Sequence, residues 1–186
     1  VWEFFWPLIT GAQLILAPPG VHKDSVALVN LILKEKISTL HFVPSMLTSL
    51  LDYIALKSNQ KTADKLSSGD MFDSNIRQVF CSGEALSPAT ASKFFEYFDS
   101  DLHNLYGPTE AAIDVTYWQC LKDEQSTIMP IGRPIDNTQI YILDKYLNPV
   151  PVCVAGELFI AGTGVARGYR NRDQLNALKF IDDPFS

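Results

Sequence analysis

Over its first 120 residues, the chain alternates short apolar runs with longer segments in which apolar residues recur every three or four positions. The runs predict β-strands and the longer segments predict helices. Strands that alternate with helices are typical of a parallel sheet with right-handed crossovers and helical cover, so we expect an α/β fold. We predict strands at residues 13–17, 38–43, 76–81, 102–105 and 115–118, helices at residues 1–10, 25–36, 44–56 and 87–98, and a polar surface loop at residues 57–75.

The pattern changes after about residue 120. Two strand-like runs, residues 138–143 and 157–161, are joined by a turn, and the next helix signal is at residues 172–180. We therefore expect a small antiparallel β unit after the parallel sheet. The predicted division is an α/β subdomain over residues 1–128 and a small β subdomain over residues 129–186.

The composition narrows the class of partner. The chain has 186 residues, of which 47% are hydrophobic, and a formal net charge of −6. It lacks basic runs, so neither a nucleic acid nor an anionic membrane is an expected partner. Three widely spaced cysteines, Cys81, Cys120 and Cys153, argue against a disulfide framework or a zinc site and favour a cytoplasmic location. The apolar stretches are too short to span a bilayer.

Polar residues follow several predicted strands, at the sheet edge where α/β proteins collect their ligands. His41 lies within one predicted strand, and Ser82, Gly83 and Glu84 follow the next. The sequence Asn-Leu-Tyr-Gly-Pro-Thr-Glu, residues 104–110, follows a third. Three polar segments at one edge predict a binding site.

The last of these segments has the residue types that a nucleotide site needs. Glu110 is a hard oxygen ligand suited to Mg²⁺ shared with substrate phosphates. Thr109 offers a hydroxyl to a phosphate oxygen, and Gly107 lets the backbone approach a ligand. Tyr106 has a flat face for a purine, and Asn104 can donate and accept at a base edge. A Gly-Pro turn with a solvated glutamate explains the same residues, so both interpretations stay open.

Four ordered stretches together resemble one family. Residues 104–110 and the glycine-rich residues 156–169 resemble two core motifs of nonribosomal peptide synthetase adenylation domains. Residues 1–8 and 81–86 resemble two more. These domains belong to the adenylate-forming, or AMP-binding, superfamily, together with acyl-CoA synthetases and luciferases. The resemblance covers essentially the whole chain and is to the central part of such a domain.

The resemblance implies an ATP-dependent, AMP-forming ligase. Such a domain activates an amino acid with Mg-ATP, giving an aminoacyl-adenylate and pyrophosphate, and passes the acyl group to the phosphopantetheine thiol of a peptidyl carrier protein. Condensation domains are further partners. Thr109 and Glu110 would be catalytic, with Glu110 as the Mg²⁺ ligand. The residues that would contact the nucleotide are Gly83, Glu84, Ala85, Asn104, Tyr106, Gly107 and Thr109.

The resemblance also assigns an amino-acid pocket whose residues are similar to the serine-activating pattern. Trp2 would fill space, while His41, Ser82 and Asp114 place polar groups in an apolar pocket. A buried polar group left unpaired costs about 1–3 kcal/mol, so a substrate hydroxyl is favoured over alanine. We predict L-serine, with threonine or another small polar amino acid next. The pocket positions are Trp2, His41, Phe80, Ser82, Leu105, Ile113 and Asp114.

Structural roles are the alternative for the polar members of this pocket. His41 is also explained as a hydrogen-bonded core residue, Ser82 as the end of a strand, and Asp114 as a cap. At the level of the whole chain, the alternatives are an acyl-CoA or aryl-acid ligase of the same superfamily and a non-catalytic structural fragment. The family's phosphate-binding loop, its catalytic lysine and the aspartate that grips the substrate ammonium are expected outside residues 1–186. We therefore expect the chain alone to be inactive.

Overall fold

The computed structural model describes residues 2–60, 75–123 and 126–185, with the side chains of residues 59 and 60 excepted. Most of the loop predicted at residues 57–75 lies outside the described residues. The chain forms two compact units, and each is described by itself. Unit 1 comprises Val1–Leu105 and Trp118–Ile131, and unit 2 comprises Tyr106–Tyr117 and Gly132–Ser186. The predicted subdomain boundary at residue 128 remains a prediction.

Three parallel strands form the centre of unit 1: β1 (Thr39–Phe42), β2 (Gln78–Cys81) and β3 (Asp101–Tyr106). The middle strand is β2, in which Phe80 pairs with His41 of β1 and with His103 of β3. The next strand in the sheet order is β4 (Thr116–Cys120). Parallel pairing brings the carboxyl ends of β1 and β2 to one edge of the sheet, where ligand sites form in α/β folds.

The helices of unit 1 begin where the sequence supplies suitable first-turn residues. Asp24 Oδ1 accepts hydrogen bonds from two amides of the α2 first turn, at 2.9 and 3.2 Å. Ser87 Oγ accepts one from the amide of Thr90 at 3.0 Å. These bonds satisfy amides that have no partner within the helix. Pro44 starts α3, where a missing amide proton costs nothing. The helices are α1 (Trp2–Ile9), α2 (Ser25–Lys34), α3 (Pro44–Gln60) and α4 (Pro88–Tyr97).

The hydrophobic core lies in unit 1. One face of α3 is buried at helical spacing by Leu47, Leu50, Leu51 and Ile54, and Phe94 of α4 is 0% exposed. The same cluster of buried side chains includes residues of β2 and β3. Because burial of apolar surface is the main favourable term in folding, this packing supports the strands that end at the predicted site.

Unit 2 has a smaller apolar interior. Its strands β6 (Thr138–Leu143) and β7 (Glu157–Gly162) form an antiparallel pair. The short β5 (Arg133–Pro134) pairs antiparallel with the first residues of β4, and α5 (Asp173–Lys179) follows β7. A single 3₁₀ turn, Thr109–Ala111, lies in the segment that carries the predicted nucleotide residues. Among the described side chains of unit 2, the buried hydrophobic ones are Ala111, Val115 and Leu143.

The predicted fold class is confirmed: a parallel sheet with helical cover is followed by a small antiparallel β unit. The strand predicted at residues 13–17 is wrong, because these residues have no strand pairing and Leu16 is 71% exposed. A strand needs a neighbouring strand for its backbone hydrogen bonds, and an apolar run alone does not show whether one exists. No helix in the described ranges is long and apolar enough to cross a membrane.

Candidate functional site

His41 and Ser82 form a polar pair in unit 1. His41 is the third residue of β1 and Ser82 follows β2 directly, so the parallel register sets them at the same edge of the sheet. The distance from His41 Nε2 to Ser82 Oγ is 2.8 Å, which is a hydrogen-bond distance. Ser82 is only 7% exposed. The pair is therefore largely shielded from water.

Glu3 of α1 completes the polar cluster, a name we use for Glu3, His41 and Ser82. Its Oε1 atom lies 2.7 Å from His41 Nδ1. The sequence analysis missed Glu3, although it is the acidic residue of an otherwise apolar helix. A partly buried charge needs a partner, and this was the signal that could have identified it.

Aromatic rings surround the polar cluster. The Trp2 ring stacks on His41 with centroids 5.0 Å apart and meets Phe80 edge to face at 5.5 Å. Trp6 also packs on Phe80, at 5.7 Å. The structure therefore brings together four of the predicted pocket residues, Trp2, His41, Phe80 and Ser82. Leu105 is half-buried in β3.

His103 on β3 has a different environment from His41. It is 6% exposed and its ring stacks on Phe80 with centroids 4.8 Å apart. Burial lowers the pKa of the His103 imidazole, because the charged form loses hydration. The His103 ring thus packs against an aromatic ring in the interior, whereas His41 has a carboxylate on one ring nitrogen and a hydroxyl on the other.

Residues 83–85 leave the sheet edge as an exposed turn. Gly83 has φ of 84°, in the left-handed region that favours glycine. The Glu84 carboxylate accepts hydrogen bonds from the amide and the hydroxyl of Ser45, at 3.1 and 3.2 Å. Glu84 therefore caps the N-terminus of α3, where a negative charge is favourable. The Glu84 side chain therefore has a structural role, and Gly83, Glu84 and Ala85 are all exposed.

Asn104 is buried at 4% exposure in β3. Its Nδ2 atom donates a hydrogen bond to the carbonyl oxygen of Pro130 at 2.8 Å. In this structure the amide therefore fixes the segment near Pro130 to β3. Contact between Asn104 and an adenine remains a prediction.

In unit 2 the loop 106–114 is tightly folded. The amide of Val115 donates to Tyr106 O at 2.7 Å, which closes the loop. A Cβ atom on Gly107 would lie 2.0 Å from the carbonyl oxygen of Ile113. Only glycine fits this position, because a side chain would collide with the returning backbone.

Two residues at the end of this loop have unusual backbone conformations. Ala112 and Ile113 have φ of 55° and 86°. A β-branched residue rarely adopts positive φ, so Ile113 is strained. Such strain persists where surrounding contacts enforce it, and it concentrates at functional sites. Ile113 and Asp114, both half-buried, are the predicted pocket residues that belong to unit 2.

The loop 106–114 contacts the glycine-rich segment that the sequence had singled out. The amide of Ala166 donates to Glu110 O at 2.7 Å. The hydroxyl of Tyr169 donates to the Glu110 carboxylate. This side-chain bond lowers the pKa of Glu110 and raises the pKa of Tyr169, because it favours the charged acid and the neutral phenol.

Tyr169 is itself held by the segment around α5. The Asn176 side chain accepts a hydrogen bond from Tyr169 N at 2.7 Å and donates one to Tyr169 O at 2.9 Å. The Phe180 ring packs on the Tyr169 ring with centroids 5.3 Å apart. The sequence analysis gave none of these three residues a role, since nothing in a local pattern links them to Glu110.

Comparison with known proteins identifies the family of the chain. Residues 1–170 match the family model described as AMP-binding enzyme. The chain belongs to the AMP-binding enzyme family. The resemblance drawn from the four motifs is therefore confirmed.

Relatives within this family include large peptide synthetases. The chain is 47% identical over 186 residues to phosphinothricin tripeptide synthetase PhsB of Streptomyces viridochromogenes, and 45% identical over 185 residues to tyrocidine synthase 3 of Brevibacillus parabrevis. Both matches cover 100% of this chain but only 14% and 3% of those proteins. Among solved structures, the nonribosomal peptide synthetase FmoA3 in an α-methyl-L-serine-AMP bound form matches with a TM-score of 0.82 and 25% identity, over 100% of this chain and 20% of that one.

Adenylate-forming enzymes of the AMP-binding family use ATP and Mg²⁺, and unit 2 carries side chains of the types that could hold them. Glu110 supplies a carboxylate, and the neighbouring Thr109 is exposed. Within the described ranges, no three His, Cys, Asp or Glu side chains form a metal cluster. Mg²⁺ in nucleotide sites is commonly bound by one or two carboxylates together with phosphate oxygens, and Glu110 matches that arrangement.

Proposed function

We propose that residues 1–186 are part of an adenylation domain that activates an amino acid with Mg-ATP. The products of this step are an aminoacyl-adenylate and pyrophosphate, and the acyl group then passes to the phosphopantetheine thiol of a peptidyl carrier protein. The family membership and the peptide-synthetase relatives support this proposal. Carrier and condensation domains are the expected partners, and the cytoplasm is the expected location.

We infer further that the amino acid is L-serine. The observation that carries this proposal is the polar cluster, which places the imidazole of His41 and the hydroxyl of Ser82 within an aromatic wall. An apolar substrate side chain would leave the Ser82 oxygen, which His41 orients, without a further partner, whereas a substrate hydroxyl group can hydrogen-bond to it. Trp2 limits the room beside His41. The FmoA3 structure with an α-methyl-L-serine adenylate is consistent with a small hydroxyl substrate in this fold.

The loop 106–114 would bind the nucleotide and its metal ion. Glu110 would bind Mg²⁺, which neutralises charge on the phosphates, and Thr109 would hold a phosphate oxygen. The resemblance assigns adenine contacts to Tyr106 of this loop and, separately, to the exposed residues 83–85 of unit 1. Catalysis in this scheme is positioning and charge stabilisation of an in-line displacement at phosphorus. The resemblance also assigns substrate-binding roles to Leu105 of unit 1 and to Ile113 and Asp114 of unit 2.

The test is amino-acid-dependent ATP–pyrophosphate exchange by the intact adenylation domain. We expect serine to give the highest rate in a panel that includes alanine, threonine, aryl acids and fatty acids. His41→Ala should lower kcat/KM for serine roughly 10- to 100-fold, the size of one or two lost hydrogen bonds, and leave the KM for ATP unchanged. His22→Asn, at an exposed position of the same unit, is the matched control.

Two results would contradict the proposal. A preference for aryl or fatty acids would assign the chain to another branch of the family. A preference for an apolar amino acid, with no effect of His41→Ala, would reject serine while leaving the adenylation function intact.

A further inference from the structure

The orientation of His41 is fixed by groups on both sides of its ring. Glu3 Oε1 lies 2.7 Å from Nδ1, and Ser82 Oγ lies 2.8 Å from Nε2. The Trp2 ring stacks on the imidazole face, at an interplanar angle of 27°. These contacts hold the ring in one plane and in one rotation. Glu3 lies outside the set of positions that the resemblance assigned to the amino-acid pocket.

The chemistry of Glu3 decides which nitrogen carries the proton. Burial acts to raise the pKa of Glu3, but hydrogen bonds to its carboxylate, of which the contact with His41 is one, hold the pKa below its ordinary value. Glu3 is therefore ionised near neutral pH. An ionised carboxylate only accepts hydrogen bonds, so His41 Nδ1 must donate.

The proton on Nδ1 then sets the direction of the next hydrogen bond. In a neutral imidazole one nitrogen donates and the other accepts, so Nε2 becomes an acceptor. The hydroxyl of Ser82 has a single proton, and the 2.8 Å contact directs it to Nε2. Ser82 Oγ then has no proton for a second partner but keeps a lone pair.

We propose that Glu3 is a positioning residue: it fixes the proton of His41 on Nδ1, so that His41 accepts from Ser82 and Ser82 Oγ accepts a hydrogen bond from the substrate. This inference rests on the proposed activation of serine and deepens it. The pocket would recognise the substrate hydroxyl as a donor. A substrate side chain of the same size that cannot donate would leave the Ser82 lone pair without a partner in a buried site.

The first experiment needs no substrate and is made on the wild-type cluster, and a variant serves only to assign the signals. Long-range ¹H–¹⁵N correlation spectra of the ¹⁵N-histidine-labelled chain at pH 8 report the tautomer of each imidazole. The signals that His41→Asn removes identify His41. We expect the neutral form with the proton on Nδ1. A proton on Nε2, or a doubly protonated ring, would overturn the inference even if serine activation is correct.

The second experiment connects Glu3 to this tautomer. Glu3→Gln places an amide beside Nδ1, which can donate or accept, so we expect His41 to become a mixture of tautomers. Glu35→Gln makes the same chemical change beside Lys34, on the surface of the same unit, and should leave the His41 signals unchanged. Unchanged signals in Glu3→Gln would show that Glu3 does not set the proton.

The third experiment measures recognition by the intact adenylation domain. 3-Fluoroalanine is close to serine in size, but its side chain cannot donate a hydrogen bond, so we expect its pyrophosphate exchange to be as slow as that with alanine. In Glu3→Gln, kcat/KM for serine should fall roughly tenfold relative to alanine, with the KM for ATP unchanged. Exchange with 3-fluoroalanine at the serine rate would overturn the donor assignment. No exchange with any of these substrates in the wild type would instead contradict the proposed function, and the tautomer spectra would still test Glu3.

Discussion

The polar cluster of unit 1 and the loop 106–114 of unit 2 are held in place by different interactions. The cluster lies at the end of strands that belong to a large apolar core, and its side chains are enclosed by aromatic rings. The loop lies in a unit with few buried hydrophobic side chains. Its shape depends on backbone hydrogen bonds and on a glycine that lets two backbone segments meet.

This difference determines how each region responds to mutation. A site supported by packing is weakened when atoms are removed, because a cavity forms and burial is lost. A loop closed by backbone contact is weakened when atoms are added, because the approach of the two segments has no spare room. The two regions should therefore show opposite sensitivity to side-chain size.

Removal of a core side chain from unit 1 should have the largest effect. Phe94 is 0% exposed and stacks on Phe98 with centroids 5.0 Å apart. Phe94→Ala should lower the free energy of unfolding by about 3–5 kcal/mol. A urea titration monitored by tryptophan fluorescence measures this free energy, because Trp2, Trp6 and Trp118 all belong to unit 1.

The matched change in unit 2 is Phe159→Ala. Phe159 is half-buried and pairs with Tyr141 across the β6–β7 hairpin. Phe159→Ala should lower the free energy of unfolding by roughly half as much as Phe94→Ala or less, since burial energy follows the apolar area removed from water. Equal losses at the two positions, measured by hydrogen exchange within each unit, would show that the contrast between the units is wrong.

Addition of one methyl group to the loop should have the next largest effect. In Gly107→Ala the new Cβ would meet the Ile113 carbonyl at 2.0 Å, so the loop must open at a cost of about 1–3 kcal/mol. The amide of Val115, bonded to Tyr106 O, should then exchange faster with deuterium. In the intact domain the same variant should lose most of its adenylation activity.

Gly20→Ala separates the steric effect from backbone strain. Gly20 has φ of 88°, but a Cβ there has nothing within 4 Å. Its substitution should cost only the left-handed backbone penalty, about 1–2 kcal/mol, and leave Val115 exchange unchanged. If the Val115 amide in Gly107→Ala exchanges with deuterium as slowly as in the wild type, the close approach of Gly107 to Ile113 does not close the loop.

The sequence predicted most of unit 1, because its signals are local. Apolar periodicity placed the helices, and the capping residues Asp24 and Ser87 marked two of their starts. The strands of the parallel sheet followed from short apolar runs between the helices. The strand predicted at residues 13–17 was wrong, because a strand also needs a neighbouring strand to pair with and a local apolar run does not show whether one exists.

The contacts that hold the candidate site residues could not be predicted from a local sequence pattern. Glu3 and His41 are 38 positions apart, and Glu110 and Tyr169 are 59 apart. The family resemblance predicted Trp2, His41, Phe80 and Ser82 as positions of one pocket, but not the carboxylate that orients the histidine. Likewise, the turn signal at Gly107 predicted a close approach of the backbone to a ligand, whereas the strained φ of Ile113 depends on the folded loop.

The smallest effect we expect is the loss of one hydroxyl group from unit 2. Tyr169→Phe removes the hydrogen bond to the Glu110 carboxylate and keeps the ring against Phe180. Because the folded-state pKa of Glu110 lies below its ordinary value of 4.5, the bond stabilises the fold above that pH, and the contribution is lost as pH falls through the lowered pKa. Because the pKa of Tyr169 lies above its ordinary value of 10.0, the contribution is also lost as pH rises through the raised pKa.

The difference in unfolding free energy between wild type and Tyr169→Phe should therefore be level near neutral pH and shrink below about pH 4.5 and above about pH 10. Tyr146→Phe, at a tyrosine that is 71% exposed, is the control and should show no such profile. A wild-type advantage that stays constant from pH 3 to pH 7 would show that the hydroxyl acts through packing and not through the Glu110 charge. In that case the orientation of the proposed Mg²⁺ ligand would depend on the backbone bond from Ala166 to Glu110, and the loop would be organised by its main chain alone.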